Sequence, residues 1–184
     1  MPIARRRLAA LALPLLPLLA RPGTARAATK REIDAAVAPA LARLREQDGT
    51  RILAENAEAI LVFPHIIRGG FVFGGQYGNG AMVEGAETTG YYNIAGASFG
   101  LQIGAQSYGL AMFIMTEEAL DFFRRSQGWE IGTGPSVVAL DAGLAGSLTS
   151  TTMSQDVYAV TFGQQGLMAA LTLDGQKISR ITPE

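Results

Sequence analysis

Six glycines crowd the run Arg68-Gly-Gly-Phe-Val-Phe-Gly-Gly-Gln-Tyr-Gly-Asn-Gly80, and the residues between them are bulky and apolar. Glycine costs a strand conformational entropy and gives it nothing to pack, so this density must serve a purpose. Three purposes are open: cradling a phosphate, exposing a nucleophile, or letting a sheet bend.

The phosphate reading fails on order. A dinucleotide fingerprint needs Gly-x-Gly-x-x-Gly opening a helix. Here Gly75-Gln-Tyr-Gly78-Asn-Gly80 runs the other way, with Ala81-Met-Val-Glu-Gly85 behind it, and no Gly-Lys-Ser/Thr is present. The nucleophile reading rests on Gly96-Ala-Ser98-Phe-Gly100, a literal Gly-x-Ser-x-Gly. An elbow of that kind needs strand, tight turn and helix, with the acid and histidine after the serine. The residues after Ser98 alternate like a strand, and the one histidine, His65, precedes it. A hydrolase using Ser98 is therefore the weakest of the three functional readings. His65, after Phe63-Pro64, reads as a structural histidine, and Glu117-Glu118 as acids in a first helical turn. Bending is what remains, with Phe71, Phe73, Tyr77, Tyr91, Tyr92 and Phe99 supplying apolar surface around the curve.

The surrounding pattern supports a sheet. Ile33, Val37, Ala40, Leu41 and Leu44 recur at helical spacing, predicting a helix from Lys30 to Gln47, ended by Asp48-Gly49 and kinked or split at Pro39. A second helix is predicted from Thr50 to Ala57 with Thr50 as N-cap. Ala59–Phe63 reads as a strand stopped by Pro64. Period-two alternation then takes over, with Phe99 to Gln106 a half-buried strand and Leu110–Met115 a buried one. Thr116 to Gln127 is the clearest helix, capped by Thr116 and stopped by Gly128. Val137–Leu140, Val157–Phe162 and Gly166–Leu173 read as strands, the last two joined by Gly163-Gln-Gln-Gly166. Strands in runs point to an α+β domain. The expected architecture is a Gly-rich, curved, mainly antiparallel sheet or partial barrel, with N-terminal helices and one helix near 116–127.

The first 27 residues differ from the rest. Arg5-Arg6-Arg7, an apolar run from Leu8 to Ala20, and Ala25-Arg26-Ala27 form the three parts of a secretory signal. The adjacent arginines also fit twin-arginine export. Cleavage after Ala27 is expected, with an uncleaved anchor as the alternative. The chain would then divide into a signal peptide (1–27), an amphipathic helical region (28–48) and a main domain (49–184). Without the leader, ten basic residues face sixteen acidic ones, which argues against nucleic acid. The absence of cysteine excludes disulfides and thiolate chemistry, and a single histidine argues against zinc.

Ile60-Leu-Val-Phe-Pro64, Gly69 through Gly80, and Ser98-Phe-Gly-Leu-Gln-Ile-Gly-Ala-Gln106 together resemble the SYLF lipid-binding domain, over about Arg51 to Ile181. The resemblance implies a non-enzymatic, cofactor-free module that binds membranes. Eukaryotic relatives associate with phosphoinositides and some with actin filaments; bacterial relatives are exported. In the family the position before Gly-Gly-Phe is commonly basic, and Arg68 matches it. The implied lipid site is Arg68, Gly69, Gly70 and Phe71, extended here to Phe73 and Tyr77. Tyr91-Tyr-Asn-Ile94, Ala142-Gly-Leu-Ala-Gly146 and Gly163-Gln-Gln-Gly166 depart from the family pattern, the last two losing cations. The expectation is an exported, periplasmic or otherwise extracytoplasmic protein of the cell envelope that binds lipid or the membrane surface, with the stripe of the first helix either a second contact or packed on the sheet. The alternative is a structural or protein-interaction module of the envelope. No metal is expected.

Overall fold

The computed structural model describes residues 28–70, 73–99, 104–140, 145, 153–165 and 176–184. The described elements run in the order α1 (Lys30–Glu46), α2 (Asp48–Asn56), β1 (Ala59–Gly70), β2 (Phe73–Glu84), β3 (Glu87–Phe99), β4 (Gly104–Ile114), α3 (Glu117–Arg125), β5 (Gly128–Glu130), β6 (Val137–Leu140), β7 (Val157–Gln165) and β8 (Lys177–Ile181). The strands form one curved sheet, a half-barrel, in the order β5-β8-β3-β2-β1-β4-β7-β6. Every pairing is antiparallel except β6 with β7. The expected α+β architecture is the one observed.

The alternation of β1 sends side chains into two separate cores. Ile60 and Val62 face α1 and α2, packing with Ile33, Val37, Leu41, Leu44 and Leu53. Ala59, Leu61 and Phe63 face α3, packing with Leu120, Phe123 and Trp129. Phe123 and Trp129 meet edge to face with centroids 4.9 Å apart. Helices on both faces explain why Ala59 to Phe63 is a continuous apolar run rather than an alternating one.

Helix α1 begins at a capping box: the Thr29 hydroxyl accepts from Glu32 N–H while the Glu32 carboxylate accepts from Thr29 N–H. Its apolar stripe is buried against the sheet, and Asp34 accepts from the Tyr91 hydroxyl at 2.9 Å. The stripe is thus a packing face, the second of the two roles expected of it, and not a membrane contact. Pro39 lies inside α1 without splitting it. Asp48-Gly49 does not end the helical region but opens α2, whose N-cap is Gln47. Thr50 is not the cap: it is fully buried and its hydroxyl donates to Leu44 O across the α1–α2 junction. Helix α3 has Thr116 as its N-cap, as its sequence signals, but its C-cap is Ser126, and Gly128 starts β5.

Pro64 does not stop β1. The strand runs through it to Gly70 by way of an irregularity, where the pairing with both β2 and β4 changes register between Val62 and Ile66. A bulge leaves a backbone position outside the ladder, which is where a proline without an N–H fits. Opposite this bulge stand Gly78 and Gly80. A Cβ on Gly78 would lie 2.7 Å from His65 O, and one on Gly80 2.6 Å from the Phe63 ring and against Val62 O. These two glycines are therefore required by close backbone approach. Gly163 is not a turn between strands; it sits within β7 at φ +60°, beside the register shift against β4. The expected strand through 99–106 is divided between the end of β3 and the start of β4, with 100–103 outside the described residues. The expected strand at Gly166–Leu173 also lies outside them. Short strands β5 and β8 carried no sequence signal that was read.

Candidate functional site

Beyond the Pro64 bulge the sheet leaves its helices behind. In this distal half the two faces differ, and β1 alternates between them. His65 and Ile67 point to the side that α1 covers further back; Ile66 and Arg68 point to the α3 side. Register extends each choice across the sheet.

On the α1 side, Ile67 pairs with Ser107 of β4 and Tyr77 of β2, Tyr77 with Ala95 of β3, and Ala95 with Lys177 of β8. The part of this row from β4 to β8 crosses five strands at about 4.8 Å spacing, a span of about 19 Å. Ile67 is 65% exposed and Tyr77 52%, the two large hydrophobic side chains most open to solvent among the described residues. The Tyr77 hydroxyl donates to Asn79 Oδ1 at 2.8 Å, which holds the ring along the strand. Ala97 is exposed beside them; Lys177 follows on β8, and the row ends on edge strand β5 with the exposed Glu130, the register partner of Lys177. A paired aliphatic and aromatic residue in solvent, flanked by small residues and a lysine, is suited to enter an apolar phase with its cation at the boundary.

On the α3 side, Arg68 pairs with Gln76 and Gln106, Gln76 with Gly96, and Ile66 with Tyr108. Arg68 and Gln76 are buried, 7% and 8% exposed. The Tyr108 hydroxyl donates to Gln76 Oε1 at 3.1 Å. Burial pushes the Tyr108 phenol up to about 12, against the opposing pull of the Arg68 charge. Gln176, just before β8, is also buried and packs beside Gly96.

The residues expected to act together are thus separated. Arg68 and Tyr77 lie on opposite faces of the β1–β2 hairpin. Gly69 and Gly70 end β1, half-buried, paired with Gly75 and Gly74. Phe73 begins β2, paired with Phe99, while Phe71 lies outside the described residues. So do the leader residues Arg5, Arg6, Arg7, Ala25 and Ala27. Ile67 and Lys177 were missed. Ile67 was legible as a bulky residue one step before Arg68; Lys177 joins the row only through long-range pairing.

The arrangement does not bring Ser98 and His65 together as a hydrolase site would. Ser98 lies within β3, paired with Gly74, and the next described element is strand β4, so no strand–turn–helix elbow forms. The strand position level with His65 on β3 is Asn93, five residues or about 17 Å from Ser98. Among the described residues no three His, Asp or Glu side chains cluster as metal ligands, and no helix is long and apolar enough to cross a membrane.

Residues 95–182 match the family model described as "Ysc84: Las17-binding protein actin regulator". That region is SYLF-like. It takes in the end of β3 and everything through β8, just under half of the chain, and leaves the Gly69–Gly80 run outside it. No curated protein matches the chain. The match also carries a correction. Actin regulators of this family act in the cytoplasm, which overturns the expected extracytoplasmic location. That expectation rested on the leader-like composition of residues 1–27 and on the exported bacterial relatives of the family that the chain resembles.

Proposed function

We propose that this chain is a non-enzymatic module that docks on a membrane surface through the distal α1-side row, with Ile67 and Tyr77 entering the interface and Lys177 meeting headgroups. The observation that carries the reading is the exposed Ile67–Tyr77 pair, set on adjacent strands beyond the reach of the helices. The SYLF-like match supports it. Because Ile67 is 65% and Tyr77 52% exposed, covering both is worth about 2–3 kcal/mol, the scale of a weak, reversible peripheral contact. Lys177 is opposed across the β8–β5 pairing by Glu130, so its gain on an anionic leaflet is below the about 1 kcal/mol of a lone lysine. Binding should therefore occur on zwitterionic vesicles and strengthen modestly on anionic ones.

Co-sedimentation with phosphatidylcholine vesicles, with and without phosphatidylserine, tests this. The double variant Ile67→Ser, Tyr77→Ser is expected to lose sedimentation on both, and Lys177→Glu to lose only the anionic increment. A double variant that pellets like the parent chain refutes the assignment of the row.

The matched family's description as a Las17-binding protein favours a second reading, a protein-binding module. Under it the same row would bind a protein surface. Pelleting with actin filaments but with neither vesicle type, abolished by the same double variant, would select it.

A further inference from the structure

The chain has a single histidine, and the fold displays it. His65 stands two residues before Ile67 on β1, so alternation puts both on the α1 side, and both are exposed. The bulge at Pro64 shapes its surroundings. His65 keeps Asn79 of β2 as its partner, but the pairing with β4 passes from Phe63 to Ile66 and leaves His65 outside that ladder. The β4 position it passes is Gly109, where the Phe162 ring of β7 fills the space a side chain would need. The imidazole therefore lies at the surface beside the Ile67–Tyr77 pair, and β2, β4 and β7 bring no charge against it.

That neutrality extends across the distal face. Level with His65 stand Asn79, Asn93 and Ser179. Along β1, β2, β3, β4, β7 and β8 the only carboxylates are Glu84 and Glu87, both at the proximal turn between β2 and β3. On α1, Asp34 is held at the proximal end of β3 by the Thr88 and Tyr91 hydroxyls. Among the described residues, the other titratable groups on this side of the distal sheet are Tyr77, whose hydroxyl is donated to Asn79, and the opposed Lys177 and Glu130. Lys177 is three strands from His65 and Glu130 four, about 14 and 19 Å by strand spacing alone, beyond a Debye length of about 8 Å. Arg68 belongs to the opposite face. Histidine is the side chain whose ordinary ionisation falls between about pH 5 and pH 8, so one proton gives this face a charge that no neighbour cancels.

We infer that His65 is a proton-controlled switch on the docking face. Uncharged, it leaves the face with only the weak preference that Lys177 confers; protonated, it makes the face cationic and selective for anionic membranes. The inference rests on the membrane-docking reading of the Ile67–Tyr77 row and supplies its regulation. The imidazolium is the form that an anionic surface attracts, so affinity for such a surface rises as pH falls. One added positive charge at the surface is worth about fivefold in affinity. A zwitterionic surface has no net charge to answer it, and docking there is independent of pH.

Partitioning of the full chain onto phosphatidylcholine vesicles, with and without phosphatidylglycerol, at about pH 7.5 and about pH 5.5 tests the switch. Phosphatidylglycerol keeps its charge across that interval, so the lipid itself does not titrate. The expected result is about fivefold tighter binding to the mixed vesicles at the lower pH, and no change on phosphatidylcholine alone. His65→Gln is expected to lose the acid gain while keeping the parent's affinity at the higher pH. His65→Lys is expected to hold the mixed vesicles tightly at both. Both variants retain every carboxylate, so an acid gain that survives in His65→Gln arises elsewhere and overturns the switch. Binding by the parent chain that ignores pH, or that gains equally on phosphatidylcholine alone, overturns it too, and each of these results leaves the docking reading in place. A parent chain that binds neither vesicle at either pH removes the docking reading and the switch with it.

Discussion

The proximal and distal halves of the sheet are made by the same strands yet are built on different terms. Near Ile60 to Phe63 both faces are roofed, one by α1 and α2 and the other by α3, and nearly every side chain is apolar and buried. Past Pro64 the strands continue, but one face shows Ile67 and Tyr77 to solvent while the other buries Arg68 and Gln76. The bulge separates the two regimes. The contrast teaches that stability is concentrated where helices cover the sheet, leaving the far end to carry surface chemistry that a core would not tolerate.

The sharpest way to break this comparison is to delete matched apolar groups from each half. Phe113→Ala, at a fully buried position facing α1 and α2, should cost about 3–5 kcal/mol in denaturant unfolding. Ile67→Ser should change stability by no more than about 0.5 kcal/mol. Equal costs would mean that the distal row is core after all. A smaller effect is expected from the glycines. Gly80→Ala places a methyl against the β1 bulge and should cost about 1–3 kcal/mol, whereas at Gly75 a Cβ meets only Gly96 O, at 3.7 Å, and Gly75→Ala should be close to neutral. If both behave alike, the bulge does not set the glycine requirement.

The smallest effect concerns pH, at the proximal edge. Glu84 on β2 accepts from Arg124 of α3 at 2.6 Å and from Thr89 at 2.8 Å, and the Arg124 hydrogen bond, the largest influence, holds its carboxyl below the usual carboxylate value. A carboxyl lowered by folding stabilises above its unfolded pKa, and that contribution is lost as pH falls through the folded value. The stability gap between the parent chain and Glu84→Gln should therefore be small at neutral pH and vanish on acidification. A gap that widens in acid would reverse the sign of the assignment.

Much of the proximal half was legible in sequence because its signals are local. Thr116, Glu117, Glu118, Arg124 and Arg125 mark α3 within one short segment, and Ile33 to Leu44 mark the buried stripe of α1. The glycine run was correctly read as bending a sheet, since Gly78 and Gly80 yield to the bulge of β1. The continuation of β1 through Pro64 was not legible, because a local stop signal was overridden by pairing on both sides. The candidate site was half legible. Arg68 and Tyr77 were picked out by residue type, but their placement on opposite faces follows from the β1–β2 register. Lys177 enters through the pairing of β8 with β3, a contact between residues about eighty positions apart in the chain.

Because the chain contains no cysteine, single labelling sites can be introduced without background. An environment-sensitive fluorophore at Ile67→Cys, compared with one at Arg51→Cys on the exposed side of α2, reports which end of the molecule meets lipid. With phosphatidylcholine vesicles, a blue shift at position 67 and none at position 51 is the predicted outcome. A shift at 51 alone, or at neither position while the protein pellets with the vesicles, would contradict docking through the distal sheet.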